Sequence, residues 1–385
     1  MNCRSICAVE GVAASGIKEG KFGLAIIRAE GSAAGVFTRN RVSAAPVELM
    51  RQQIKKGCLE AVVANSGCAN AYTGRRGLDD AIEMTRIAGD ALGIAPGRVG
   101  VASTGVIGRY LDIPLIRRQC HRLVPLLDRS PEAEASAAAA IMTTDTFPKH
   151  ALIEAGGFCV AGITKGSGMI APNMGTMLAF LYTDADISPA KLKDALRLAT
   201  SRSFNRVVVD GDTSTNDIAL CTATGFAGKV NYAEFCSALE ACCRSLAVQI
   251  AKDGEGATKL LEVKVTGAPD EKGAAEVART VIGSPLVKTA IYGEDPNWGR
   301  VIAAAGRAGI RFDPDSVSLW IGEGKAKCPL VKRGEIVADL KKAKGAMSGN
   351  RVSFTLDLAA GDGEATAWGC DLTEKYVEIN GRYTT

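Results

Sequence analysis

The chemistry most open to this chain belongs to Thr176, in the stretch KGSGMIAPNMGTMLAF that runs from Lys165 to Phe180. A threonine hydroxyl is a poor nucleophile unless a base stands beside it, and the chain has two histidines, His121 and His150, in 385 residues. One base needs no such partner. If the peptide bond ahead of Thr176 is cut, the freed α-amine, with an ordinary pKa of about 7.7 to 8.0, is close to what a general base requires at neutral pH. Gly175 suits that cut: lacking a Cβ, it lets the hydroxyl reach the preceding carbonyl and tolerates strained geometry. Attack of Thr176 Oγ1 on the Gly175 carbonyl would give an ester, and its hydrolysis would leave a new N-terminal threonine. The competing account makes Thr176 the first residue of a strand, and β-propensity favours that account when the residue is taken alone.

Six polar, glycine-dense segments interrupt the apolar pattern: NSGCANAYTG (65–74), STGVIG (103–108), TTDTFPK (143–149), KGSGMIAPNMGTM (165–177), GDTSTND (211–217) and KDGEGATK (252–259). Any one of them is accounted for as a turn. Six, with hydroxyls repeatedly beside glycines, predict one site assembled from loop ends on a rigid scaffold. Phosphate fits it poorly. In KDGEGATK the lysine follows the threonine, the reverse of a P-loop, and no G-x-G-x-x-G occurs; Glu255, between two glycines, would repel a phosphate and suits a cation. The 12 cysteines include no C-x-x-C pair, and the histidines have no ligand-like spacing, which argues against zinc and leaves the thiols as buried and reduced. A Ser-His-Asp hydrolase has almost no histidine to draw on.

These loops need elements to hold them. Hydrophobic residues at 47%, charged residues at 23% and a net charge of +4 describe a globular protein without a nucleic-acid footprint. No window of about 18 residues is apolar enough for a membrane span, and MNCRSICAVEGVAASG has no uninterrupted apolar run before a cleavage-like site, so a cytoplasmic protein is expected. Strands are predicted at 23–29, 60–65, 98–103, 177–183, 205–210, 260–267, 351–358 and 365–372. Helices are predicted at 78–92, 112–127, 188–199 and 231–252, and the alanine-rich 131–142 is good helix material. Strand and helix patterns alternate, so the class is mixed α/β.

Taken together, KGSGMIAPNMGTMLAF, STGVIG, TTDT, VDGDTSTND, AKDGEGATK, VKTAIYGEDPNWGR and AWGCDLT resemble, in order and over nearly the whole chain, the blocks of the ornithine acetyltransferase family, also called glutamate N-acetyltransferase or the arginine biosynthesis bifunctional protein. The resemblance implies a layered α/β/β/α sandwich of the self-processing N-terminal-nucleophile type, with a smaller C-terminal α/β lobe at about 265–385. It implies self-cleavage between Gly175 and Thr176, giving an α chain of residues 1–175 and a β chain of 176–385, assembled as an α2β2 heterotetramer. Thr176 would carry acetyl from N2-acetyl-L-ornithine to L-glutamate in ping-pong fashion, in arginine biosynthesis.

Residue by residue, Thr104 and Gly105 resemble the family's oxyanion-hole pair, and Thr143, Lys165, Thr176, Glu255, Asn380 and Thr385 its substrate-contacting positions, with Thr144 the alternate in TTDT. Pairing of Glu255 with an ammonium and of Lys165 with a carboxylate would suit an amino-acid substrate. Three departures stand out: Gly175 where alanine is commoner, Gly381-Arg382 near the C-terminus, and a short segment between TTDT and KGSGM. No obligatory cofactor or metal is expected. Family members differ in whether acetyl-CoA also serves as donor, and no residue of this sequence decides it. Two other classes stay in view: a self-processing amidase or aminopeptidase, in which water resolves the acyl-enzyme, and a binding protein with an uncut chain.

Overall fold

Glycine and alanine decide how closely the first elements approach one another. The computed structural model describes residues 5–171 and 177–382. Strands β1 (Ala13–Glu19) and β2 (Phe22–Phe37) form an antiparallel ribbon, followed by α1 (Ala45–Gln53), β3 (Cys58–Ser66), α2 (Gly74–Leu92), β4 (Val99–Ser103), α3 (Ile113–Leu123) and α4 (Pro131–Ile141). A side-chain carbon at Gly16 would lie 2.2 Å from the Ser136 carbonyl oxygen, and one at Gly23 2.1 Å from that of Ala140. Helix α4 therefore rests directly on the ribbon, and its alanines permit that approach. Ser130 caps it by accepting a hydrogen bond from Ala133 N at 3.3 Å, with Pro131 in the first turn.

The chain continues through β5 (Lys149–Ala155), β6 (Phe158–Lys165), β7 (Leu178–Ala185), α5 (Pro189–Arg202), β8 (Val207–Val208), β9 (Ile218–Gly228) and α6 (Tyr232–Lys252). The first sheet has the order β4-β3-β2-β9-β7-β6-β5, with β1 also on β2. Its key is the length of β2, which pairs along one edge first with β1 and then, from Ser32 to Phe37, with β9. Drawn out straight, the run from Gly23 to Phe37 would span roughly 45 Å. Yet Asn216, just ahead of β9, donates to the carbonyls of Ala69, three residues past β3, and of Ser103, the last residue of β4, beside the other end of β2. The strand must curl to allow this, and its register shift between Arg28 and Gly31 marks the break in regular pairing. The two halves of the sheet stack through one core that includes Leu24, Ile26 and Val63 from one half and Phe180, Tyr182 and Leu220 from the other. On the opposite face of β7 and β9, Ala179, Leu181, Ala219 and Cys221 pack against α5 and α6, as the two-residue period of a strand dictates.

The second sheet, β13-β12-β11-β14-β10-β15-β8, comprises β8 and the later strands β10 (Leu260–Ala268), β11 (Ser318–Ile321), β12 (Cys328–Lys332), β13 (Glu335–Ile336), β14 (Arg351–Asp357) and β15 (Gly363–Cys370). Trp368 and Cys370 of β15 join the core of α6, whereas Ala365 and Ala367 face a third core with Val277 and Val281 of α7 (Glu271–Ile282). Helices α8 (Pro285–Tyr292), α9 (Trp298–Gly306), α10 (Leu340–Gly345) and α11 (Glu374–Arg382) complete the order. The α/β class expected from the sequence is what the chain adopts. Among the described residues no helix is long and apolar enough to cross a membrane.

Candidate active site

Curling of β2 brings chain segments from both halves of the first sheet to one place. There the six glycine-dense segments of the sequence meet around a cavity of about 150 Å³: its wall includes Ala69, Thr104 and Gly105, Thr143 and Thr144, Lys165 and Gly168, Ser214 to Asn216, and Glu255. Asn380 of α11 closes one side. A larger cleft of about 410 Å³ lies elsewhere, but its arginines, Arg202, Arg206 and Arg244, are already paired with Glu240 and Glu271. The smaller cavity holds the groups with free capacity.

The loop after β4 is fixed from both sides. Thr104 N donates to Asn65 O at 3.0 Å, Asn65 Nδ2 to Cys68 O at 2.9 Å, and Asn216 Nδ2 to Ala69 O and Ser103 O at 2.6 and 2.9 Å. Gly105 has φ +130°, and a Cβ there would sit 2.4 Å from Gly67 C and 2.5 Å from Cys68 N, so only glycine fits. Among the described residues the buried Thr104 hydroxyl has no hydrogen-bond partner, which leaves it to the cavity.

Lys165 ends β6 with its side chain fully enclosed. Burial lowers its pKa, while Asp145, Asp217 and Glu255 act in the opposite sense, and no described residue makes a direct ion pair with it. Glu255 comes from the turn after α6: its N–H donates to Ser167 O at 3.0 Å, and its Oε2 accepts from Asn380 Nδ2 at 2.8 Å. Gly168 makes room, since a Cβ there would fall 2.3 Å from the Glu255 carboxyl carbon. Helix α11 has no buried residue of its own and is tied down by that amide and by Thr373, whose hydroxyl donates to Gly256 O at 2.7 Å. A cation and an anion thus face one small cavity, an arrangement that can hold an amino acid by both ends.

Thr104, Gly105, Thr143, Lys165, Glu255 and Asn380 therefore border one space, and Thr144 of the TTDT segment reaches it beside Thr143. Gly175, Thr176 and Thr385 lie outside the described residues. The next residue after Thr176 is described: Met177 N donates to Asp217 Oδ1 at 2.9 Å. Asp217 is buried, and among the described residues its Oδ2 has no hydrogen-bond partner, while the neighbouring Thr38 hydroxyl donates to Ser214 O at 2.7 Å. Burial pushes this carboxyl well above the usual range, with the Met177 bond and Lys165 opposing. Nothing in the sequence singles out Asp217, since an Asp after Asn in a GDTSTND turn is ordinary turn chemistry.

A family model described as the ArgJ family matches residues 9–385. The chain belongs to the ArgJ family. It is 51% identical over 388 aligned residues to a glutamate N-acetyltransferase of Methanosarcina mazei, covering 99% of this chain and 98% of that one. To the arginine biosynthesis bifunctional protein ArgJ of Symbiobacterium thermophilum it is 53% identical over 366, covering 92% and 90%. A crystal structure of the bifunctional protein ArgJ from Bacillus halodurans aligns with a TM-score of 0.50 at 42% identity, over 52% of this ArgJ-family chain and 96% of that chain.

Proposed function

We propose that this chain moves acetyl from N2-acetyl-L-ornithine to L-glutamate, yielding L-ornithine and N-acetyl-L-glutamate for arginine biosynthesis, through an ester on Thr176 formed after self-cleavage at Gly175-Thr176. One observation carries the reading: in a single cavity the Thr104 hydroxyl, which has no hydrogen-bond partner among the described residues, and the Lys165 ammonium face the Glu255 carboxylate, and Lys165 pairs across the sheet with Leu178, the residue after Met177. The names of the Methanosarcina and Symbiobacterium relatives agree with it. Self-cleavage is also supported by the Bacillus chain, a polypeptide of roughly half this length that matches almost end to end, as one product of a cut near the middle would.

In the first half-reaction the Thr176 amine takes the hydroxyl proton as Oγ1 attacks the acetyl carbonyl. The Thr104 hydroxyl and the Gly105 N–H would receive the developing oxyanion, a task in which one lost donor typically costs about 100- to 1,000-fold. The C–N bond to ornithine breaks, and the proton leaves with its amine. In the second half the glutamate amine attacks the ester and Thr176 recovers its proton. Lys165 would bind a substrate carboxylate, and Glu255 with Asn380 a substrate ammonium; Thr143 and Thr144 line the same wall. The chemistry calls for no metal or organic cofactor, and acetyl-CoA as an alternative donor is a separate outcome of the assay. Assembly as α2β2 and a cytoplasmic location belong to the same proposal.

The test starts with the intact mass of freshly purified protein, N-terminal sequencing of any fragment, and incubation with N-acetylornithine alone. Two fragments, one beginning at Thr176 and heavier by one acetyl group after incubation, are expected, with acetylglutamate appearing once glutamate is added. Thr176→Ala should abolish both cleavage and transfer. A cut and active Thr176→Ala protein sinks the mechanism, and release of acetate in place of acetylglutamate identifies an amidase.

A further inference from the structure

Beside the cavity lies a cluster of charges that no step above employs. Lys149 opens β5 with its side chain wholly buried, and its Nζ is 2.7 Å from Asp145 Oδ1 and 2.5 Å from Asp253 Oδ2, two carboxylates equally withdrawn from solvent. Each carboxylate turns its remaining acceptor capacity to the backbone of a site segment. Asp145 accepts from Thr143 N at 3.0 Å and from Gly166 N, the residue after Lys165, at 2.7 Å. Asp253 accepts from Thr146 N at 3.0 Å and from the Thr146 hydroxyl. The Asp253 carbonyl receives the Ser167 hydroxyl at 2.6 Å, and Ser167 O in turn accepts from Glu255 N. Three segments far apart in sequence, carrying Thr143, Lys165 and Glu255, are thereby locked to one ammonium.

Stability does not explain the cluster. Buried ion groups are often matched or surpassed by apolar residues of the same volume, because desolvation cancels most of their attraction. What such a cluster can do is fix geometry, here the spacing of the groups that line the cavity. Charge balance points the same way: two carboxylates against Lys149 leave one negative charge over, and Lys165 supplies the compensating positive charge. Burial alone would push the Asp145 carboxyl up, but Lys149 and Lys165 together hold it below the usual carboxylate range.

We propose that Lys149 is the positioning residue of the substrate site, setting through Asp145 and Asp253 the spacing of Thr143, Lys165 and Glu255. The inference rests on the function proposed above, so its test has one readout that is independent of turnover. Lys149→Met alone would strand two buried carboxylates and endanger folding. The informative protein is the charge-balanced Lys149→Met/Asp253→Asn, with Asp145→Asn as a second route into the same cluster. In these variants KM for glutamate and acetylornithine should rise about 10- to 100-fold while kcat changes less than about threefold, with the melting temperature of the double variant near that of the parent. Calorimetric Kd values for L-glutamate and L-ornithine should weaken by the same factor. A folded double variant with parental KM and Kd overturns the role of Lys149, as does a KM that changes only in proportion to lost stability. A parent protein that binds both amino acids but transfers no acetyl overturns the function instead, and the Kd comparison still decides the part played by Lys149.

Discussion

Replacing Gly105 by alanine tests at once the space at that turn and the oxyanion role proposed for it. The new Cβ would lie 2.4 Å from Gly67 C, 2.5 Å from Cys68 N and 2.7 Å from Gly67 Cα, all of them backbone atoms that cannot swing aside, in a residue at φ +130°. The dihedral costs about 1 to 3 kcal/mol and overpacking a further 1 to 3 kcal/mol or so, so a loss of roughly 2 to 6 kcal/mol in stability is expected. Relief comes by moving the 104–106 loop off Gly67, which swings the Gly105 N–H away from the oxyanion position proposed above and should lower kcat by about 100- to 1,000-fold. Thr104→Ala provides the control: it removes a hydroxyl without a collision, so kcat should fall by a similar factor with melting temperature almost unchanged. The assay is ornithine release under saturating substrates, beside a thermal melt of each protein. A Gly105→Ala protein that melts within about 1 °C of the parent and keeps kcat within about twofold would refute the steric argument and the oxyanion role together.

Glu255→Gln keeps the shape of the side chain and its bond to Asn380 but removes the charge, so KM should rise about tenfold for at least one substrate with a smaller change in kcat; an unchanged KM for both removes Glu255 from direct contact. Two buried carboxyls should give pH effects of opposite sign. Asp145, held below its ordinary value of about 3.9, contributes stability that is complete above that value and is lost as pH falls through the lower native one, so Asp145→Asn should cost most near pH 7 and little in acid. Asp217, whose pKa is raised by burial, contributes stability that is present at acid pH and lost as pH rises toward its native value, so Asp217→Asn should gain on the parent as pH rises above about 4. Melting temperatures followed from strongly acid to neutral pH check both, and parallel profiles for the two variants would contradict the assignment.

Much of this was legible in the sequence where local chemistry and tertiary structure agree. Helix α6 begins after Asn231, which caps it through Ala233 N and Glu234 N, and it stops before the glycine-rich turn that delivers Glu255. The strand expected at 205–210 shrinks to Val207–Val208, because Phe204 to Arg206 form a tight turn and Val209 N bonds outside the sheet to Ile170 O at 2.7 Å. The helix expected over 112–127 gives up its regular form at Leu123, since Pro125 has no N–H to donate. Strands β1, β5, β6 and β9 escaped because their apolar runs are short or mixed with glycine and threonine, and only pairing with distant partners makes them strands. In the site, the six loops could be recognised by composition. Lys149 and Asp217 could not, because a lysine in TTDTFPK and an aspartate in TSTND look like solvated turn residues until burial and partners are known.

The first sheet also has a consequence for the order in which the polypeptide acquires its shape. Strands β1 to β6 come from the chain before Gly175, while β7 and β9 come from the chain after it, and β9 fills the edge of β2 as β7 fills that of β6. A nascent N-terminal half therefore emerges with two open edges that only the second half can close, a long-range pairing that delays folding and exposes strand edges meanwhile. The same interlock works in reverse. Two separately expressed halves, divided after residue 175, should be individually aggregation-prone yet anneal into one particle when mixed, making the protein a natural subject for fragment complementation.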